Sequence, residues 1–262
     1  MKSPAQFTLL VGSGKGGVGK STVAVNLAVA LSGAGYRVGL LDADLYGPSL
    51  PVMLGLRRLT PQHHTDENGV ERIRPFTKYG FQSMSVGFFI EEAKSVLWRG
   101  PLLHGMLRKM LVDVEWSPMD FLIVDLPPGT GDVPMSLSQL MPVHGAIVVT
   151  TPQEVAMLDA VKAINSFYQL EIPLLGIIEN MAGFTAPDTG ITYSIFGEGK
   201  GAELAHRFNA PLLAQIPLIP SVRIGGDEGI PSALHSVDGL AGTYFSQLAQ
   251  NLVSELSTLQ RR

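Results

Sequence analysis

Short apolar runs alternate with stretches of helical periodicity along most of the chain. Residues 7–11, 37–42, 81–86, 121–125, 146–150, 174–179 and 212–216 are short segments, most of them rich in Val, Ile, Leu and Phe. They are too short for typical helices and read as strands buried on both faces. Between them, apolar residues recur at helical spacing over 21–31, 102–112, 133–140, 154–167 and 201–208. This alternation predicts an α/β fold: a mostly parallel sheet flanked by helices. No linker, repeat or low-complexity segment interrupts it, so residues 1–262 read as one domain.

Two stretches depart from the rhythm. Residues 56–78 are polar and loop-like, with a hairpin-turn signal at Asn68-Gly69 and adjacent histidines, His63-His64. Adjacent residues of an extended segment face opposite ways, so a solvated loop is favoured over a metal site. Residues 182–199 are rich in Gly, Thr and Pro and read as a surface excursion. Near the C-terminus, Tyr244, Leu248, Leu252, Leu256 and Leu259 mark one helical face. Its basic residues are Arg261 and Arg262 alone, so docking onto the domain is favoured over membrane binding.

Composition narrows the function. A net charge of −4 gives no general attraction to nucleic acid or anionic membrane. No apolar run is long enough to span a bilayer. The start, Met1-Lys2-Ser3-Pro4, enters the first strand too soon for a signal peptide, so a cytoplasmic protein is expected. The chain has no cysteine, which removes disulfides, thiolate metal sites and thiol catalysis from its own chemistry.

The strongest chemical signal lies between the first strand and the first helix. Gly14-Lys15-Gly16-Gly17-Val18-Gly19-Lys20-Ser21 fits the phosphate-binding pattern G-x-x-x-x-G-K-[ST], with a second lysine after its first glycine. Glycines let backbone N–H groups converge on phosphate oxygens, and the helix N-terminus adds partial positive charge. Gly14 through Ser21, with Thr22, are therefore the expected nucleotide-binding residues. Lys20 would reach the β- and γ-phosphates, and the Ser21 hydroxyl would ligate Mg²⁺.

Carboxylates are needed to hold the metal and position water. The apolar run 121–125 ends in Asp125, followed by Pro127-Pro128-Gly129-Thr130-Gly131-Asp132. Asp125 is expected to hold Mg²⁺ through water, and the Gly129 N–H to sense the γ-phosphate. Asp42 and Asp44 follow the run 37–41; Asp42 would support the metal and Asp44 would orient the attacking water, with a turn or helix cap as the alternative. With no transfer substrate in sight, ATP hydrolysis is expected, with charge stabilisation from Lys15, Lys20 and Mg²⁺.

Taken together these segments resemble the MinD/ParA/NifH-like ATPases, and within them the Mrp/ApbC iron–sulfur cluster carriers. The resemblance rests on the 14–21 motif, Asp42-Ala43-Asp44-Leu45-Tyr46-Gly47-Pro48-Ser49, Trp98-Arg99-Gly100-Pro101, Asp125 through Asp132, Thr150-Thr151-Pro152-Gln153, Glu179-Asn180-Met181 and Ile195-Phe196-Gly197. It implies that Lys15 reaches across a nucleotide-sandwich homodimer to the partner's phosphates. It also implies that Asn180 meets the adenine edge, and that residues 216–220, including Pro217, close over the base near Arg223 and Asp227.

The family resembled carries a Cys-Pro-x-Cys pair that binds a bridging [4Fe–4S] cluster; here the matching residues are Ala186-Pro187-Asp188-Thr189. Neither Ala186 nor Thr189 can replace a thiolate ligand. The expectation is an ATPase of this family that binds no cluster alone. It would act with an iron–sulfur assembly protein or a cysteine-bearing paralogue. A MinD/ParA-like positioning or partner-binding switch is the alternative.

Overall fold

The computed structural model describes residues 3–90, 100–235 and 239–259. It opens with strand β1 (Ala5–Gly12), which leads through the glycine-rich loop into helix α1 (Lys20–Gly33). Leu9, Leu10 and Val11 of the strand and every residue from Val23 to Leu31 of the helix are buried. A helix covered on all sides needs no polar stripe, which explains the continuous apolar character of α1.

The chain continues through β2 (Val38–Asp42), a short helix α2 (Leu50–Met53), and a hairpin of β3 (His63–Thr65) and β4 (Glu71–Ile73). Strands β5 (Phe76–Lys78) and β6 (Phe81–Ser85) precede α3 (Gly100–Val112), β7 (Met119–Asp125) and α4 (Asp132–Leu140). Next come β8 (Gly145–Thr150), α5 (Glu154–Gln169) and β9 (Leu174–Asn180). A second hairpin, β10 (Phe184–Thr185) with β11 (Thr192–Tyr193), leads to α6 (Lys200–Arg207) and β12 (Leu212–Ile216). Helices α7 (Pro220–Glu228) and α8 (Leu240–Leu259) complete the described chain.

Eight strands form one sheet in the order β12-β9-β8-β1-β7-β2-β6-β5, in which only the edge strand β5 is antiparallel to its neighbour. The register decides where the chemistry goes. Asp125 pairs with Val11 on one side and with Asp42 on the other. Both acids therefore stand at the C-terminal edge of the sheet, beside the strand that feeds the phosphate-binding loop. That edge is where open α/β sheets bind ligands.

The expected strands and helices are present, with ends that move by a few residues. Several elements were not anticipated: α2, the β10–β11 hairpin, β5 and α7. β5 is only three residues long and carries too little pattern to read. α7 contains Gly225 and Gly226 and buries only Gly225, so it lacks an apolar face. Its boundaries are nonetheless encoded, by Pro220 in the first turn and left-handed Gly229 at the C-cap.

The polar stretch 56–78 holds the hairpin that Asn68-Gly69 foreshadows, with Asp66 Oδ1 accepting the Asn68 and Val70 amides. Its histidines separate as expected: His63 faces Glu71 (2.8 Å) and His64 faces Glu115 (3.1 Å). Helix α8 docks onto the domain through Phe245, Leu248, Ala249, Leu252 and Leu256, while Leu259 is exposed. Each fully buried apolar side chain of that kind contributes about 1.5–3 kcal/mol. Asn251 also donates to the carbonyl of Leu213 (2.8 Å), which blunts the open edge of β12. No described helix is long and apolar enough to cross a membrane.

One histidine ties the opposite edge of the sheet. His144 Nδ1 accepts the Thr8 amide (2.9 Å), while the His144 amide donates to the Thr8 carbonyl (2.9 Å). Burial pushes its pKa below 6.5, and a protonated ring could not accept the Thr8 hydrogen bond. This contribution to stability is therefore complete above about pH 6.5 and is lost as the pH falls through the lowered folded value. Denaturant unfolding at pH 7.5 and pH 5.5 should show a smaller stability loss on acidification for His144→Gln than for the native chain. Equal losses would exclude His144 as a contributor.

Candidate nucleotide site

Loop residues 13–19 leave β1 and turn sharply into α1. Gly17 and Gly19 adopt left-handed backbone conformations (φ 81° and 84°) that other residues rarely tolerate. Gly14 is required for space instead: a side-chain carbon there would collide with the backbone of Asp159 in α5. The loop is thus pressed onto α5 on one side. On the other, the Gly129 amide donates to the carbonyl of Ser13 (2.8 Å).

Lys20 is buried at the mouth of the sheet. Its ammonium lies 2.7 Å from Asp125 Oδ1, 3.7 Å from Asp44 Oδ2 and 3.2 Å from Ser21 Oγ. These groups come from the phosphate-loop helix, the end of β7 and the segment after β2. The parallel register brings them together although they are remote in sequence. Burial pushes the Asp125 carboxyl above the usual carboxylate range, against the pull of the Lys20 ammonium. Its Oδ2 is buried and has no hydrogen-bond partner.

That orphaned oxygen tests the fit of a metal. A buried carboxylate whose Oδ2 lacks a hydrogen-bond partner, and whose pKa the nearby Ser21 hydroxyl helps to lower, suits a magnesium ion held through water. Among the described residues no three His, Cys, Asp or Glu side chains are grouped to hold a metal by themselves. Magnesium commonly takes one or two protein ligands and completes its shell with phosphate oxygens and water, so the donor set fits.

Two expected residues are committed elsewhere. Asp42 is fully buried; its Oδ2 accepts from Ser85 Oγ (2.9 Å) and the Leu50 amide (3.2 Å), and its Oδ1 from the Asp44 amide (3.1 Å). Burial, reinforced by the charge of Asp125, raises its pKa to about 7. Asp42 in this geometry is a splice that fixes the Asp44 loop and the start of α2, the capping alternative for this pair. The Gly129 N–H, expected to meet a γ-phosphate, is engaged by Ser13, because the left-handed turn at Gly129 (φ 92°) folds it back onto the loop.

Asp44 is the acid whose remaining capacity faces Lys20. Its Oδ1 accepts the Tyr46 and Gly47 amides (3.2 and 3.1 Å), which orients Oδ2 toward the ammonium. Lys15 behaves differently from Lys20: its ammonium donates to Gln153 Oε1 (3.0 Å) at the start of α5. Asn180, at the end of β9, donates to the carbonyl of Val18 (2.9 Å) and so braces the phosphate loop. Pro217 lies in the segment joining β12 to α7, which is anchored beside Asn180 by Ala182 N to Ile216 O (2.9 Å) and Leu218 N to Gly183 O (2.8 Å). Arg223 and Asp227 pair with each other on the exposed face of α7 (2.8 Å).

Sequence reading assigned no role to three residues that build this site. Ser13 joins the phosphate loop to the Gly129 turn and donates from Oγ to the Lys15 carbonyl (3.0 Å). Glu179, buried in β9, accepts from the Gly201 amide and from Gln215 Nε2 (2.6 Å each), fixing the N-terminus of α6. Gln153 holds Lys15. A charged residue at the end of an apolar strand was a readable signal for Glu179; nothing local distinguishes Ser13.

Ala186 through Thr189 form the tip of the β10–β11 hairpin, closed by Ala186 N to Ile191 O (3.0 Å) and Gly190 N to Ala186 O (2.8 Å). The tip is solvent-facing and carries no soft ligand. Trp98 and Arg99 lie outside the described residues.

Comparison with known proteins agrees with this architecture. Residues 5–253 match the ParA family of NUBPL iron-transfer P-loop NTPases. This chain belongs to that family. It is 47% identical over 252 residues to the iron-sulfur cluster carrier protein of Deinococcus radiodurans, covering 96% of this chain and 70% of that one. The carrier protein of Methanococcus maripaludis is 41% identical, with 97% and 86% covered. The chain spans 66% of the similar Aquifex aeolicus protein. A solved Archaeoglobus fulgidus nucleotide-binding protein in complex with ADP superimposes with a TM-score of 0.74 at 38% identity, covering 86% of this chain and 87% of the other. The Pyrococcus horikoshii MinD protein shares the fold at 24% identity and a TM-score of 0.69, over 99% of each chain.

Proposed function

We propose that this chain binds MgATP and hydrolyses it slowly, as a homodimeric switch acting in iron–sulfur cluster assembly in the cytoplasm. The observation that carries this reading is the buried cluster of Lys20, Asp44 and Asp125 beneath a glycine-rich loop that opens a helix. Loop amides would receive the phosphates at the positive end of α1. Lys20 would exchange its carboxylate partners for the β- and γ-phosphate oxygens, whose negative charge exceeds that of either acid. Ser21 and the free oxygen of Asp125 would hold magnesium, which neutralises developing phosphate charge. Asp44, oriented by two amides, would then position water. Asn180 and Pro217 would border the base, and Lys15 would add a second positive charge across the dimer. ADP bound to the Archaeoglobus relative supports the ligand class.

The second half of the proposal concerns the cargo. Ala186 and Thr189 would replace the cluster ligands, so this chain would not hold a [4Fe–4S] cluster alone. A cysteine-bearing paralogue or an iron–sulfur assembly protein would supply the missing thiolates. Anaerobic reconstitution of the purified chain with iron and sulfide should give no stable, stoichiometric [4Fe–4S] spectrum. Such a spectrum on this chain alone would refute the replacement.

A further inference from the structure

Lys15 is restrained within its own chain, and the restraint has an unusual design. Its backbone cannot shift readily: the Ser13 hydroxyl binds the Lys15 carbonyl, and Gly14 is packed against the α5 backbone. Only the side chain is free to change partner. That side chain donates to Gln153 Oε1, a neutral acceptor at the N-cap of α5. Gln153 makes no side-chain cap bond to its own helix, which leaves its amide available. The amide serves Lys15 instead.

The electrostatics make this a weak hold. An ammonium at the N-terminus of α5 meets the positive end of the helix dipole, and a neutral amide offsets that less than a carboxylate would. Directly beside the contact, α5 presents Val155 (64% exposed) and Leu158 (50% exposed) to solvent. The Glu154–Lys200 pair (2.6 Å) stands next to them, so the rim of the contact mixes apolar and paired charged side chains, the composition of a non-obligate interface.

We propose that Gln153 is a positioning residue that holds Lys15 in the open chain, and that release of this contact sets how readily MgATP drives closure onto a second copy. The inference rests on the dimeric-switch reading, in which Lys15 crosses to the partner's phosphates. In the open chain the Gln153 bond must break before Lys15 can cross, so removing it favours the closed state and strengthening it favours the open state. A hydrogen bond to a charged group has about a tenfold effect at the low end of its range, where a half-buried, solvent-screened contact falls.

The test is equilibrium sedimentation of the full chain across a MgATP titration, with Gln153→Ala and Gln153→Glu alongside the native protein. The ATP concentration giving half-dimer should fall about tenfold in Gln153→Ala and rise in Gln153→Glu. Affinity for a fluorescent ATP analogue, measured at chain concentrations too low for dimer, reports any damage to the phosphate loop, and only a dimer shift larger than the change in that affinity counts for the restraint. Unchanged half-dimer concentrations, or a weaker dimer in Gln153→Ala, would overturn the role of Gln153 while leaving the dimer intact. A native chain that binds ATP yet stays monomeric would overturn both this role and the dimeric reading.

Discussion

Replacing Lys20 with alanine is expected to abolish MgATP binding, with affinity falling at least about a hundredfold. The loss combines two charge-assisted hydrogen bonds to phosphate with removal of the cation nearest to the transferred group, each worth about 1.5–3 kcal/mol. The same substitution leaves Asp125 and Asp44 buried without a cation, which by itself destabilises a fold by several kcal/mol. Lys20→Gln separates the effects. Its amide can still donate to Asp125 Oδ1 but brings no charge, so thermal stability should return only in part while ATP binding does not return. Equilibrium binding of a fluorescent ATP analogue, paired with thermal unfolding of each variant, gives both readouts. Retained binding in Lys20→Gln would mean that the loop amides alone grip the triphosphate.

Asp44→Ala should separate binding from turnover. Asp44 touches Lys20 only at 3.7 Å, whereas Asp125 is in direct contact at 2.7 Å, so losing Asp44 disturbs the phosphate lysine little. A residue that orients the attacking water contributes about 10²–10⁴-fold to rate. Phosphate release from ATP is therefore expected to drop by at least about a hundredfold, with the dissociation constant held within about threefold. Asp44→Asn should behave alike, since an amide keeps the shape and loses the basic oxygen. Native turnover in either variant would move the water-positioning role to another group. Asp42 is the less suited of the two acids, because both of its oxygens already accept hydrogen bonds, from Ser85 and from the Leu50 and Asp44 amides.

The sheet and the phosphate loop were legible because their causes are local. Apolar runs mark buried strands wherever both faces are covered, and Gly17, Gly19, Lys20 and Ser21 follow from the demands of a tight turn onto a helix. The partnership of Asp125 with Lys20 could be anticipated, since an acid ending a neighbouring strand must reach the same edge. The commitments of Asp42 and Gly129 could not. They depend on Ser85, Leu50 and Ser13, which the fold brings near through packing that no spacing rule encodes. Asn180 is intermediate: its place beside the loop follows from β9 ending at the same edge, but its bond to the Val18 carbonyl depends on how the loop turns into α1. α7 stayed hidden because two glycines and a poor apolar face erase periodicity, leaving only its caps as evidence.

The function proposed for this chain requires a triphosphate seated against the amides of residues 14–22 and the two lysines. Calorimetric titration of MgATP into the native chain addresses it most directly. Saturable heat with about one nucleotide per chain, lost in Lys20→Gln, is the predicted result. Absence of any binding heat at millimolar MgATP, from a protein shown to be folded, would contradict it.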